Sequence, residues 1–172
     1  MAKKRFRKAW VVGASTGIGR ALTLELAKQG VDVVASARGS AALGEVVASG
    51  TALPGSIQAL AFDVTDNNAT GTAHRDATSL LGQIDLCVSC AGTYTAFGAQ
   101  DFSTETFRRM VEVNLMGSVH VLEAAMPDMI ARGSGHIAVV SSVAGYRGLP
   151  AASAYGATKA ALINMCESLK FD

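Results

Sequence analysis

The sequence predicts an α/β domain built on a doubly wound parallel sheet, and three observations carry that expectation. Apolar runs of strand length alternate with segments of helical periodicity from one end of the chain to the other. No obvious linker, repeat or low-complexity stretch interrupts them, so residues 1–172 read as one domain, within the roughly 100–200 residues that one core organises. Glycines and polar residues gather just after the strands, where such sheets bind ligands.

The elements come in order. A first strand is expected over residues 9–12 and runs straight into the Gly-rich stretch 13–19. Residues 20–29 read as a helix, with Ala21, Leu22, Leu24, Leu26 and Ala27 on its buried side and Gly30 as its stop. The second strand covers 31–36, and a weaker helix occupies 41–48. The third strand covers 57–62 and ends at Asp63, after which Asp66 is placed as the N-cap of a helix reaching about Leu81. Residues 84–89 form the fourth strand. A long helix is then expected from about 103 to 131, with Phe107, Met110, Val111, Leu115, Val119, Leu122, Met126 and Ile130 at helical spacing. Pro127 falls inside that pattern and predicts a kink or a break there. The fifth strand, 136–140, ends in Ser141 and Ser142, and a last helix runs from near Ser153 to Lys170. Five strands alternating with helices imply a parallel sheet covered on both faces, because parallel strands need crossover connections.

Composition narrows the function. With 49% hydrophobic residues, 17% charged residues and a net charge of +1, the chain can bury a core and is not disordered. It presents no broad field for nucleic acid, and no apolar run approaches the 18 or so residues of a membrane span. The basic start, residues 1–8, reads as a solvated tail. It leads into a Gly-interrupted strand rather than the 7–15-residue apolar core of an export signal, so the cytoplasm is expected. Cys87 and Cys90 form a CxxC pair, open to a redox or half-zinc reading. Cys87 lies in an apolar strand and no second CxxC or neighbouring His completes a tetrad, so the core reading is preferred and no metal is assigned. His74, His120 and His136 are scattered and read as structural or surface residues.

The first chemical signal is Gly13-Ala14-Ser15-Thr16-Gly17-Ile18-Gly19, a Gly-x-x-x-Gly-x-Gly turn that opens a helix directly after a strand. Glycine lets a diphosphate approach the main chain, and the helix N-terminus adds N–H groups and partial positive charge. A plain tight turn is the alternative; the strand–turn–helix context favours a nucleotide site through Gly13, Ser15, Thr16, Gly17, Ile18 and Gly19. The second signal is Tyr155 and Lys159, four apart and therefore on one helix face. A phenol titrates near 10 and is a poor acid–base at neutral pH, but an adjacent ammonium and the helix N-terminus favour the phenolate and lower that value. Tyr155 then becomes a usable proton donor or acceptor. Ser142, at the end of the fifth strand, can donate a second hydrogen bond to a carbonyl oxygen. Ser141 is the runner-up, with its side chain expected on the opposite side of the strand.

On these residues the chain resembles the short-chain dehydrogenase/reductase family over nearly its whole length. Asp63 and Val64 match the family's adenine-contacting pair. Cys90-Ala91-Gly92 matches its Asn-Ala-Gly signature, with Cys90 in place of Asn. Asn114, Ser142, Tyr155 and Lys159 match its catalytic tetrad, Ser142 and Tyr155 standing thirteen apart. The resemblance implies a Rossmann-like sheet of order 3-2-1-4-5 and hydride transfer between a nicotinamide and a small carbonyl or alcohol substrate. It also implies that Lys159 bonds the nicotinamide ribose and that Asn114 positions a water relaying protons to Lys159. Arg38, after the second strand, stands where an acidic residue would select NAD, so NADP(H) is favoured over NAD(H). Thr16 occupies the loop position where some NADP-preferring relatives carry a basic residue. The long helix and the last helix are those through which relatives form dimers or tetramers, so a homodimer or homotetramer is expected. Tyr94, Arg147 and Leu149 are placed at the border of the substrate pocket. Relatives usually run to about 250 residues as one domain, so the reading expects their last strands, a Pro-Gly loop and a substrate-covering segment to be missing. The rival expectation is a truncated, non-catalytic relative that binds nucleotide or dimerises.

Overall fold

The computed structural model describes residues 6–170; residues 1–5 of the expected basic tail, and residues 171 and 172, lie outside the described residues. Strands β1 (Lys8–Val12), β2 (Asp32–Ala37), β3 (Ile57–Ala61), β4 (Leu86–Ser89) and β5 (His136–Val139) form one sheet of order β3-β2-β1-β4-β5. Every neighbouring pair is parallel. Helices α1 (Gly17–Lys28), α2 (Ser40–Gly50), α3 (Asn67–Leu81), α4 (Thr104–Met110), α5 (Gly117–Ala131) and α6 (Ser153–Leu169) make the crossovers. The expected architecture and strand order are therefore present. Among the described residues no helix is long and apolar enough to cross a membrane.

The pleat of β1 divides the core in two. Ala9 and Val11 pack with Leu26, Ala27, Leu43 and Val46 of α1 and α2, while Trp10 and Val12 face Ala73, Ala77, Val121 and Ala125 of α3 and α5. Burial on both faces explains why the strands read as continuous apolar runs rather than alternating ones. Trp10 is fully buried and donates its indole N–H to the Ser36 hydroxyl at 3.0 Å, so the one polar atom of the ring is satisfied.

Local chemistry sets the ends of the helices. Gly30 adopts φ +78° after α1, with Val31 N–H bonded to the Leu26 carbonyl at 3.0 Å and Gly30 N–H to that of Ala27 at 2.9 Å. This is the Schellman pairing, which needs a left-handed residue at the Gly30 position. Asp66 caps α3 as expected, accepting the Ala69 N–H at 3.0 Å. β4 begins two residues later than expected, because the Asp85 carboxylate turns back to accept the N–H groups of Arg7 and Lys8 at 3.0 and 3.1 Å.

The long helix departs from expectation. α5 continues through Pro127 to Ala131 without a break. A proline there removes one N–H, and a single lost bond does not end a helix whose Val121, Leu122, Ala125 and Met129 are held in the core. The discontinuity lies earlier: residues Val111–Met116 form a π-helical segment between α4 and α5. Such a segment inserts an extra residue into the helix and is frequent at functional sites. It contains Asn114.

Candidate active site

The strand order reverses between β1 and β4, and there the ends of β1, β2, β4 and β5 open into a cleft of about 570 Å³. Its floor is the glycine turn. Gly13 has φ +89°, and it and Ala14 both donate to the Ser36 carbonyl, at 2.7 and 2.9 Å. A Cβ on Gly13 would stand 2.5 Å from the Ala91 nitrogen, and one on Gly19 would stand 2.2 Å from the Gly13 carbonyl oxygen. The turn is therefore folded against itself and against the exit of β4 with no room for side chains. Gly17 differs: at φ +54° its missing Cβ faces open space. Thr16 precedes α1 without capping it, which leaves the first-turn N–H groups without a side-chain acceptor.

Gly13, Ser15, Thr16, Gly17, Ile18, Gly19, Arg38, Val64, Cys90, Ala91, Gly92, Tyr155 and Lys159 all line the cleft. At its far end lie Ala37, Gly39 and Phe62 beside exposed Arg38. Asp63 faces an adjoining cavity with Arg38, Arg108 and Arg109 rather than the main cleft. Its carboxyl is held below the usual range by the Thr65 N–H, against burial, with the Thr65 hydroxyl and the Arg38 charge adding to the lowering. Val64 is tied by its carbonyl to His120 Nδ1 at 2.9 Å, which accounts for one of the scattered histidines.

At the other end stand Tyr155 and Lys159. The Lys159 side chain is almost fully buried, and its Nζ donates to the Val140 carbonyl at 2.8 Å and lies 5.6 Å from the centre of the Tyr155 ring. Burial holds its ammonium below the usual lysine range, with Cys90 acting in the opposite direction. Asn114 is wholly buried and does not line the cleft. Its Oδ1 accepts the Thr93 N–H at 2.7 Å, and its Nδ2 donates to the Thr93 carbonyl at 3.0 Å and the Thr158 hydroxyl at 3.2 Å. Thr158 in turn donates to the Tyr155 carbonyl at 2.7 Å. One amide thus joins the strand-four loop to the helix that carries the Tyr–Lys pair.

The two serines divide as strand alternation predicts, though not in the expected way for the cleft. Ser141 lines it, with its hydroxyl donated to the Lys159 carbonyl at 2.9 Å. Ser142 lies outside the lining and caps the 3₁₀ turn Val143–Gly145, accepting the Ala144 N–H at 3.2 Å. The CxxC thiols are poor nucleophiles: burial pushes Cys87 up to about 12 and Cys90 up to about 11, despite the Lys159 charge near Cys90. Thr158 and Thr93 escape sequence reasoning. The first is signalled only by its place before Lys159, and the second acts through its backbone.

A Rossmann-like fold whose switch-point cleft holds a glycine turn at one end and a Tyr–Lys pair at the other defines a dinucleotide-binding domain. The chain belongs to the short-chain dehydrogenase family, whose model matches residues 7–172. It is 37% identical over 172 residues to an uncharacterized oxidoreductase of Myxococcus xanthus, covering all of this chain and 68% of that protein. Among solved structures, NAD+-bound xylitol dehydrogenase superposes with a TM-score of 0.93 at 31% identity, over 97% of this chain and 65% of that one. Actinorhodin polyketide ketoreductase with NADPH gives 0.88 at 25% identity, over 98% of this chain and 66% of that one. The family fold binds NAD(P)(H), and the residues here fit such a dinucleotide: the Cβ-free turn at Gly13 and Gly19 lets main chain reach a diphosphate, and the cleft runs on from there to both Arg38 and Lys159.

Proposed function

We propose that this chain carries the cofactor and proton-transfer machinery of an NADP(H)-dependent oxidoreductase that interconverts a small carbonyl compound and its alcohol. The observation that supports it most is the Tyr155–Lys159 pair opening onto a switch-point cleft whose other end carries Arg38. When bound, the nicotinamide supplies or accepts the hydride. Tyr155 gives its phenolic proton to the carbonyl oxygen as the carbon is reduced, or takes it back in the oxidative direction. Lys159, a buried cation 5.6 Å from the centre of the Tyr155 ring, stands beside the group that gives up this proton, and bonds the ribose. The Ser142 hydroxyl accepts from Ala144 and so keeps its own proton to donate to the carbonyl oxygen. Both Asn114 donors are occupied, so its part in a proton relay is to hold the loop and one remaining Oδ1 lone pair in place. Gly13 to Gly19, Val64 and the Cys90-Ala91-Gly92 run cradle the cofactor, Asp63 stands at its adenine end, and Arg38 pairs with the 2′-phosphate.

Two substitutions test this. Tyr155→Phe is expected to lower kcat by about 10²–10⁴ while leaving NADPH affinity within about threefold. Arg38→Ala is expected to raise the KM for NADPH by about tenfold or more and to leave that for NADH unchanged, since a charge-assisted pair is lost only with the phosphorylated cofactor. An unchanged NADPH preference overturns the cofactor assignment. On the same reading the protein works in the cytoplasm as a homodimer or homotetramer.

A further inference from the structure

Tyr94 has no part in the function proposed above, although its ring belongs to the cleft wall. The residue before it, Thr93, is held at both N–H and carbonyl by Asn114, so Tyr94 leaves from a fixed point. Its ring packs edge-on against Tyr155, centroids 5.1 Å apart and planes at 65°. Its hydroxyl donates to the carbonyl of Ala151 at 3.3 Å, the residue whose φ of +56° turns the chain into α6. With the polar tip engaged by backbone, the part of Tyr94 left to the cleft is aromatic carbon, and the residue is 53% exposed.

The surroundings agree. Phe97 and Ala152 form an isolated parallel bridge, and the Phe97 N–H bonds the Ala151 carbonyl at 3.2 Å, so the loop after β4 is joined to the loop before α6. Tyr94, Phe102, Val143, Tyr146 and Leu149, all exposed, come from these two loops. Their only charged residues are Asp101, which accepts the Gly98 N–H at 2.6 Å, and Arg147. A carbonyl bonded to Tyr155 therefore places its substituents beside an aromatic face and an apolar rim.

We propose that Tyr94 is the specificity-determining residue of the substrate site and selects carbonyl compounds bearing an aromatic ring next to the carbonyl. This rests on the reading that the reacting carbonyl meets Tyr155. An edge-to-face or offset pair with the Tyr94 ring adds affinity beyond area burial, in the range of severalfold to about tenfold, which a straight-chain ketone cannot obtain.

The test compares two ketones of equal carbon number, acetophenone and octan-2-one, titrated calorimetrically onto the protein with and without saturating NADP+, which permits no reduction. Acetophenone is expected to bind about tenfold more tightly, although octan-2-one is the more apolar. Tyr94→Leu, which keeps bulk but removes the ring, is expected to bring the two ketones to parity. Tyr94→Phe keeps the preference, and both variants retain NADP+ affinity within about twofold. Equal affinity in the unaltered protein, binding of neither ketone, or a preference that survives in Tyr94→Leu overturns the inference. A ring preference without NADPH turnover overturns the proposed function instead, and turnover without the ring preference does the reverse.

Discussion

Asn114 binds three partners with an amide that never meets solvent, and each of them belongs to a segment that forms the cleft. Replacing it with Ala strands the Thr93 N–H and carbonyl, and a buried polar group without a partner costs about 1–3 kcal/mol. Asn114→Ala is therefore expected to lower stability by about 2–4 kcal/mol in urea denaturation. A loss below about 1 kcal/mol would show that the clamp holds nothing. The Tyr155–Lys159 pair is read from its spacing of four along a helix, and Asn114 only from its match to the family's motif. What stays hidden is what those side chains touch. No pattern announces that Asn114 grips backbone rather than another side chain, or that Ser141 rather than Ser142 lies on the cleft wall. Such facts depend on the turn after β5, which also sets the Ala144 N–H that the Ser142 hydroxyl accepts.

At the scale of elements, the strands are the easiest to read, since a parallel strand buried on both faces is an uninterrupted apolar run ending where the ligand site begins. The long helix shows the limit. Pro127 carries an unmistakable local signal, yet α5 absorbs it, while the π-helical segment Val111–Met116 consists of residues unremarkable in any helix. The break is made by tertiary demand: the segment carries Asn114 to Thr93 and Thr158 while Met110 before it packs with Phe97 and Ala154. Along this stretch Val111, Leu115, Met116 and Val119 remain only half-buried. Light scattering at micromolar concentration is expected to give the mass of a dimer or tetramer. A monomer would remove the proposed role of this helix in association.

At the scale of the whole molecule, a response to acid is expected from the face of the sheet opposite α1 and α2. His74 on α3 is buried against Trp10, and burial holds its imidazole below the ordinary histidine range. The Asp128 carboxylate, 3.8 Å away, pulls it up, while Arg132 and Arg75 push it further down. Above about pH 6.5 the ring is neutral in both the folded and the unfolded chain and stability is at its plateau. As pH falls below that value the unfolded chain takes a proton that the folded one resists, so stability declines until the lowered folded value is passed. The urea midpoint is expected to be lower at pH 5.5 than at pH 7.5, and the drop to shrink in His74→Gln; equal drops in both proteins would assign the acid sensitivity elsewhere. The Asp63 carboxyl adds a further loss only at more acid pH, below the ordinary carboxylate range. Trp10 gives this titration a signal of its own. It is the only tryptophan in the chain, and its ring centre lies 5.5 Å from that of His74. A protonated imidazole quenches indole emission, so the fluorescence of the folded protein is expected to dim as His74 takes its proton, a single wavelength following the charge of one buried ring.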